Sequence, residues 1–110
     1  MHAARLRRGE DIARVRAEGI ARNDKLFSLR ALSTDQPAVR VAVSSSRAVG
    51  NAVKRNRARR RVREALRTVL RDHATLSGLD LVLLARPAAL YAAPADLRGA
   101  VERELQRVLT

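Results

Sequence analysis

The stretch from Ser44 to Arg71 constrains this chain most, because it joins the end of a strand-like run to a helix whose sides differ sharply in chemistry. On a wheel of about 100° per residue, Ala58, Val62, Ala65, Leu66, Val69 and Leu70 share one face. Such a face must be covered by apolar surface, so the helix lies on a core. Along a neighbouring face Asn56, Arg60, Arg63, Arg67 and Arg71 follow one another at spacings of four and three, a polar ridge suited to a row of phosphates. Arg55 and Arg59 fall on or beside the apolar side. An unpaired guanidinium is too costly to bury, which puts both at the margin of the sheet, within reach of a polar ligand.

A solvated helix face normally mixes acids with bases, yet no acid occurs from Lys54 to Arg63. Like charges at this density repel, so the run points to a polyanion. The whole chain shares the bias: 23 Lys and Arg against 11 Asp and Glu give a net charge of +12, and only Lys25 and Lys54 are lysines. Guanidinium binds phosphate bidentately and stacks on bases, so the expected partner is nucleic acid. At 110 residues the chain fits a single domain, 1–110. Cysteine is absent, which rules out disulfides and thiolate metal sites and suits a reducing cytoplasm. Met1 to Arg8 is basic but runs into Glu10 and Asp11, unlike a secretory signal, and the longest apolar run, Leu81 to Ala85, is too short to span a bilayer.

Met1 to Arg8 reads as a basic arm, of a kind often poorly ordered until it meets a partner. A short helix is expected from about Gly9 to Glu18, with Ile12 and Val15 inward, Arg14 and Arg16 exposed, and Gly19 as its stop. Leu26 to Leu32 alternates as a strand with Phe27, Leu29 and Ala31 on one face and Ser28 and Arg30 on the other. Ala38 to Ser44 alternates likewise, and the simplest reading pairs the two as a hairpin across Ser33 to Pro37. After the basic helix, Leu79 to Ala85 has the nearly unbroken apolar character of a central strand, parallel to the strand before the helix. A last helix from about Ala95 to Leu109 turns Leu97, Val101, Leu105 and Val108 inward. The expected class is α+β, a small mixed β-sheet packed with helices in the order α-β-β-α-β-α.

Catalysis by the polypeptide is not supported. A nuclease needs clustered acids to hold metal ions, or a histidine pair, whereas the 11 acids are scattered and the two histidines stand at positions 2 and 73. Asp80 lies mid-strand and is better explained by pairing with a nearby arginine, and His73 as a core or boundary residue. No nucleotide-binding loop occurs, and Gly50 alone is a turn glycine.

The run Arg47, Val49, Gly50, Asn51, Ala52, Val53, Arg55, Asn56, Arg57, Arg59, Arg60, Arg63, Glu64 resembles the signature of the protein subunit of bacterial ribonuclease P. The resemblance extends to Arg5, Leu6, Glu10 and Asp11, to Phe27, and to Ala85, Arg86 and Pro87, covering nearly the whole chain. It implies a rare left-handed β-α-β crossover where general rules favour a right-handed one. It also implies that catalysis belongs to an RNA subunit with bound Mg²⁺, that the protein alone holds no cofactor or metal, and that its partners are that RNA and precursor tRNA. A monomer when free and no membrane association complete the expectation.

The RNA-binding set is then Arg47, Asn51, Lys54, Arg55, Asn56, Arg57, Arg59, Arg60, Arg61, Arg63 and Arg67. Within it the outward ridge (Arg60, Arg63, Arg67) is assigned to the RNA subunit. The single-stranded 5′ leader of precursor tRNA is assigned to a cleft of Ile12, Arg16, Phe27, Arg30, Arg55, Asn56 and Arg59. The family's cleft carries aromatic rings where Ile12, Arg16 and Arg30 stand here, so stacking is mostly unavailable; Phe27 and Tyr91 are the chain's only rings. Two other readings remain. A ribosomal-type RNA-binding protein would share the charge but has no reason to keep Gly50 to Glu64 in this order. A membrane-surface helix would need the apolar face that the core already uses.

Overall fold

The computed structural model describes residues 3–110, so the readings made for Met1 and His2 lie outside the described residues. Five strands, β1 (Ala4–Arg5), β2 (Ile20–Asn23), β3 (Phe27–Ser33), β4 (Val39–Ser45) and β5 (Leu79–Ala85), accompany three helices, α1 (Gly9–Glu18), α2 (Ala52–Arg71) and α3 (Pro94–Leu109). They form one mixed sheet in the order β1-β4-β5-β3-β2. On one face α2 and α3 cover Phe27, Leu29, Ala31, Leu81 and Leu83, while on the other α1 sets Val15 and Ile12 against Val82, Leu32 and Ala42. Coverage on both faces is why β5 reads as an apolar run broken only by Asp80.

The expected hairpin is not formed. β5 lies between its two strands, antiparallel to β3 (Phe27↔Ala85 to Ser33↔Leu79) and parallel to β4 (Val39↔Leu79 to Ser45↔Ala85). Inserting the most apolar strand satisfies both of its backbone edges and buries both of its faces, which a β3–β4 hairpin would not do. Two short strands were not expected. β2 pairs with β3, and β1 pairs with β4 through Ala4↔Arg40 and Arg5↔Val41, so this part of the basic arm is fixed in the sheet.

The basic helix starts where its sequence stops extended chain. Gly50 has φ 128°, a conformation only glycine adopts readily, and the Asn51 side chain accepts the Lys54 amide at 3.0 Å as the N-cap. All six apolar positions read from the wheel are buried. α1 spans the expected residues, and α3 buries Leu97, Val101 and Leu105 with Val108 half-buried.

The hand of the β4–α2–β5 crossover follows from chirality. Val41 packs its side chain on the α2 face and accepts the Leu6 amide at 2.7 Å. Viewed from the α2 face with β4 pointing up, an L-residue whose side chain meets the viewer turns its carbonyl to the right. β1 therefore lies to the right of β4 and β5 to the left, and a chain that passes in front of the sheet and moves left is left-handed, against the general preference.

Candidate nucleic-acid interface

β1 covers β4 only as far as Val41, and from Ala42 to Ser45 the outer edge of β4 has no strand beside it. Around this bare edge runs a groove of about 850 Å³ that joins the two faces of the sheet. α1 contributes Ile12 and Arg16, β1 and its end contribute Arg5 and Leu6, and α2 contributes Arg63, Arg67 and Arg71. The floor is Ala42, Ser44 and Val82 on one side of the edge and Val41 and Val43 on the other. Among the described residues, the Ser44 hydroxyl is the one buried side-chain oxygen without a hydrogen-bond partner.

The groove is built for negative charge. Burial, then the guanidinium groups of Arg5, Arg59 and Arg67, push the pKa of Arg63 below the ordinary arginine value. Among the described residues no carboxylate lies within ion-pair distance of Arg5, Arg59 or Arg63; Arg67 meets Glu64 at 3.9 Å, but both side chains are largely exposed and such pairs count for little. Four arginines drawn together with one exposed acid beside them are stabilised once an anion arrives.

This arrangement redraws the expected division of the cations. Arg63 and Arg67 were placed on an outward ridge away from the cleft, yet they face the same groove as Ile12 and Arg16. The wheel fixed their side of α2 correctly; what it lacked was the bare β4 edge, which turns that side into a groove wall. Arg60 instead borders a hollow between α2 and α3. Phe27 is no cleft residue: it is fully buried on the α2–α3 face, opposite to α1. Arg30 is exposed on the α1 face, but its Nη1 donates to the Arg16 carbonyl at 2.6 Å and closes the end of α1 onto β3, outside the groove lining.

Arg55 and Asn56 lie upstream of the groove. The Arg55 carbonyl accepts the Ser45 hydroxyl at 2.7 Å, which ties the start of α2 to the end of β4, and its side chain is half-buried at the margin. Arg59, also half-buried, links that margin to Arg63. Two members of the RNA-binding set have structural work: the Asn51 oxygen caps α2, and Arg61 donates to the carbonyls of Leu90 (2.8 Å) and Ala92. Arg47, Lys54, Arg57 and Arg60 are exposed. Arg5, Ser44 and Arg71 belong to the groove but were outside the expected site sets; Arg71 was legible as the last step of the ridge, whereas a two-residue strand carries no periodic signal for Arg5.

Among the described residues no three His, Asp or Glu side chains converge as a metal site. Asp80 is held by Arg40 at 2.7 and 2.9 Å, and His73 meets Glu102 at 2.8 Å. Among the described residues no helix is long and apolar enough to cross a membrane.

Comparison with known proteins converges on one family. The family model described as Ribonuclease P matches residues 1–109. The ribonuclease P protein component of Gluconacetobacter diazotrophicus is 38% identical over 107 residues, covering 96% of this chain and 90% of its own length. That of Caulobacter vibrioides is 41% identical over 83 residues, 74% of this chain, but the match spans only 55% of the relative. In fold the chain is similar to the RNase P protein of Staphylococcus aureus (TM-score 0.77, 20% identity, 99% of this chain and 100% of that one). It is likewise similar to that of Thermotoga maritima (TM-score 0.75, 22% identity, 98% of each chain).

Proposed function

This chain belongs to the family of bacterial ribonuclease P protein components, and from that premise we propose that it is the RNA-binding, non-catalytic subunit of the ribonucleoprotein that removes the 5′ leader of precursor tRNA. It acts as a single domain over residues 1–110, a monomer when free, in the cytoplasm. Cleavage is carried by the RNA subunit with its Mg²⁺.

The groove around the β4 edge takes the leader. Phosphates of a single strand run along Arg63, Arg67 and Arg71 on one wall and Arg5 and Arg16 on the other, while Ile12 and Ala42 give apolar contact and the Ser44 hydroxyl a hydrogen bond. Arg59, Arg55 and Asn56 continue the track towards the start of α2. The exposed cations Arg47, Lys54, Arg57 and Arg60 face the RNA subunit. A protein that grips the leader on one side and the catalytic RNA on the other favours precursor over mature tRNA, because only the precursor has a leader.

The observation that carries this reading is the groove lining, where Arg5, Arg16, Arg63, Arg67 and Arg71 gather with no carboxylate among the lining residues. Its test is holoenzyme reconstituted with the RNA subunit and either wild-type protein or Arg63→Ala/Arg67→Ala. The double variant should lose affinity for precursor tRNA and keep its affinity for mature tRNA. Equal losses for both would take the leader out of the groove, and 5′ cleavage by rigorously RNA-free protein would refute the non-catalytic assignment.

A further inference from the structure

Tyr91 is the chain's one tyrosine and, at 79% exposed, the most exposed large apolar side chain among the described residues. A single exposed ring needs no explanation by itself. What distinguishes Tyr91 is how firmly its backbone is held. Arg61 reaches from α2 to donate to the carbonyl before Tyr91 (Leu90, 2.8 Å) and to the one after it (Ala92). The Tyr91 amide donates to the Ala88 carbonyl at 3.2 Å, and Leu90 is buried beneath. A guanidinium is thus committed to holding the carbonyls of the two residues on either side of a ring left in water.

The surroundings are cationic. Lys54 and Arg57 precede Arg61 by seven and four residues, on the same side of α2, and both are exposed. Beside Arg61 a hollow of about 310 Å³ opens between α2 and α3, bordered by Arg60, Arg98 and a single acid, Glu64, over Ala65, Pro94 and Leu97. This is the side of α2 that faces α3, away from the leader groove. With Phe27 buried, Tyr91 is the one exposed Phe, Tyr or Trp ring among the described residues.

We propose that Tyr91 is a stacking platform for one unpaired base of the ribonuclease P RNA subunit, with Arg57 and Arg60 holding the adjoining phosphates. The inference rests on the reading of the chain as the RNA-binding subunit. The held backbone sets where the ring stands, and every base has a face to stack on it.

Protein labelled with ring-¹³C tyrosine gives signals from this residue alone. On addition of the RNA subunit they should move upfield, and a fully paired RNA duplex should leave them in place. Tyr91→Ala should weaken binding to the RNA subunit roughly tenfold at high salt, where phosphate contacts fade, and Tyr91→Phe should keep wild-type affinity. Unmoved ring signals at saturating RNA, or wild-type affinity in Tyr91→Ala across a salt series, would overturn the inference while leaving the leader groove untouched. A shift produced by concentrating the protein without RNA would assign the ring to a second copy of the chain and also overturn it. Failure of the wild-type protein to bind the RNA subunit would overturn the RNA-binding reading itself, and this inference with it.

Discussion

Arg40 on β4 grips Asp80 on β5 with two hydrogen bonds, Nε to Oδ1 at 2.9 Å and Nη2 to Oδ2 at 2.7 Å. The same guanidinium reaches Asp11 of α1 at 3.5 Å. The Asp80 hydrogen bond raises the pKa of Arg40 further, so the cation is secure. Asp80 is the one polar residue in the central strand, and its partner links the sheet to the helix that forms one wall of the groove.

Removing one partner should therefore cost more than removing both. Asp80→Ala leaves the Arg40 guanidinium with Asp11 as its remaining carboxylate and should destabilise the protein by about 1–3 kcal/mol in urea unfolding. Arg40→Met with Asp80→Leu should recover part of that loss, since Asp11 then keeps only Arg14 among the described residues, at 3.9 Å. Equal losses in the single and double variants would mean that the pair is not the source of the effect.

Acid should act through Asp24, which sits in the turn before β3. Burial opposes its charge, but the Leu26 amide at 3.0 Å and the Arg103 guanidinium at 2.8 Å outweigh it, so its pKa is lowered from 3.8. A lowered folded value means stabilisation that is complete above the unfolded value and is lost as pH falls through the folded one. Wild type should exceed Asp24→Asn in stability by a constant amount from about pH 7 to pH 5. The gap should close only below the ordinary carboxylate range; a gap that begins to close near neutral pH would show that another group is responsible.

Arg63 should trade stability against binding. Burial and its neighbouring arginines oppose its charge, so Arg63→Gln relieves repulsion in the free protein. Thermal unfolding of the free variant should occur at the wild-type temperature or slightly above it. Binding of precursor tRNA by the holoenzyme should weaken, with the slope of log K against log salt shallower by about 0.7 for a lost single-strand contact. A variant that unfolds at lower temperature would make Arg63 a structural residue.

Much of the fold was legible because the helices have strong periods. The apolar stripe from Ala58 to Leu70 predicted both the helix and its buried side, and Gly9 to Glu18 had a marked start and stop. Strand adjacency was not legible: the alternation in Phe27–Ser33 and Val39–Ser45 gives the faces of each strand but not which strand lies beside it. β1 is too short for any period, and β2 is an exposed edge strand with no apolar alternation. The chemistry of the site was visible as acid-free arginine, whereas its shape depends on where β1 ends. That one boundary puts Arg63 and Arg67 in the groove, while the register of β3 turns Phe27 into the core beneath α2 and α3.

With Phe27 in the core, the groove has no aromatic ring among its lining residues, so on the proposed reading guanidinium contacts to phosphate provide most of the leader affinity. Such contacts release counterions and fade with salt, while stacking is far less sensitive. The direct measurement is the ratio of precursor to mature tRNA affinity for the reconstituted holoenzyme as salt is raised from about 50 to 200 mM. An electrostatic groove predicts that most of the preference for precursor disappears across that range and that leader sequence matters little. A preference that persists undiminished at the higher salt would contradict it.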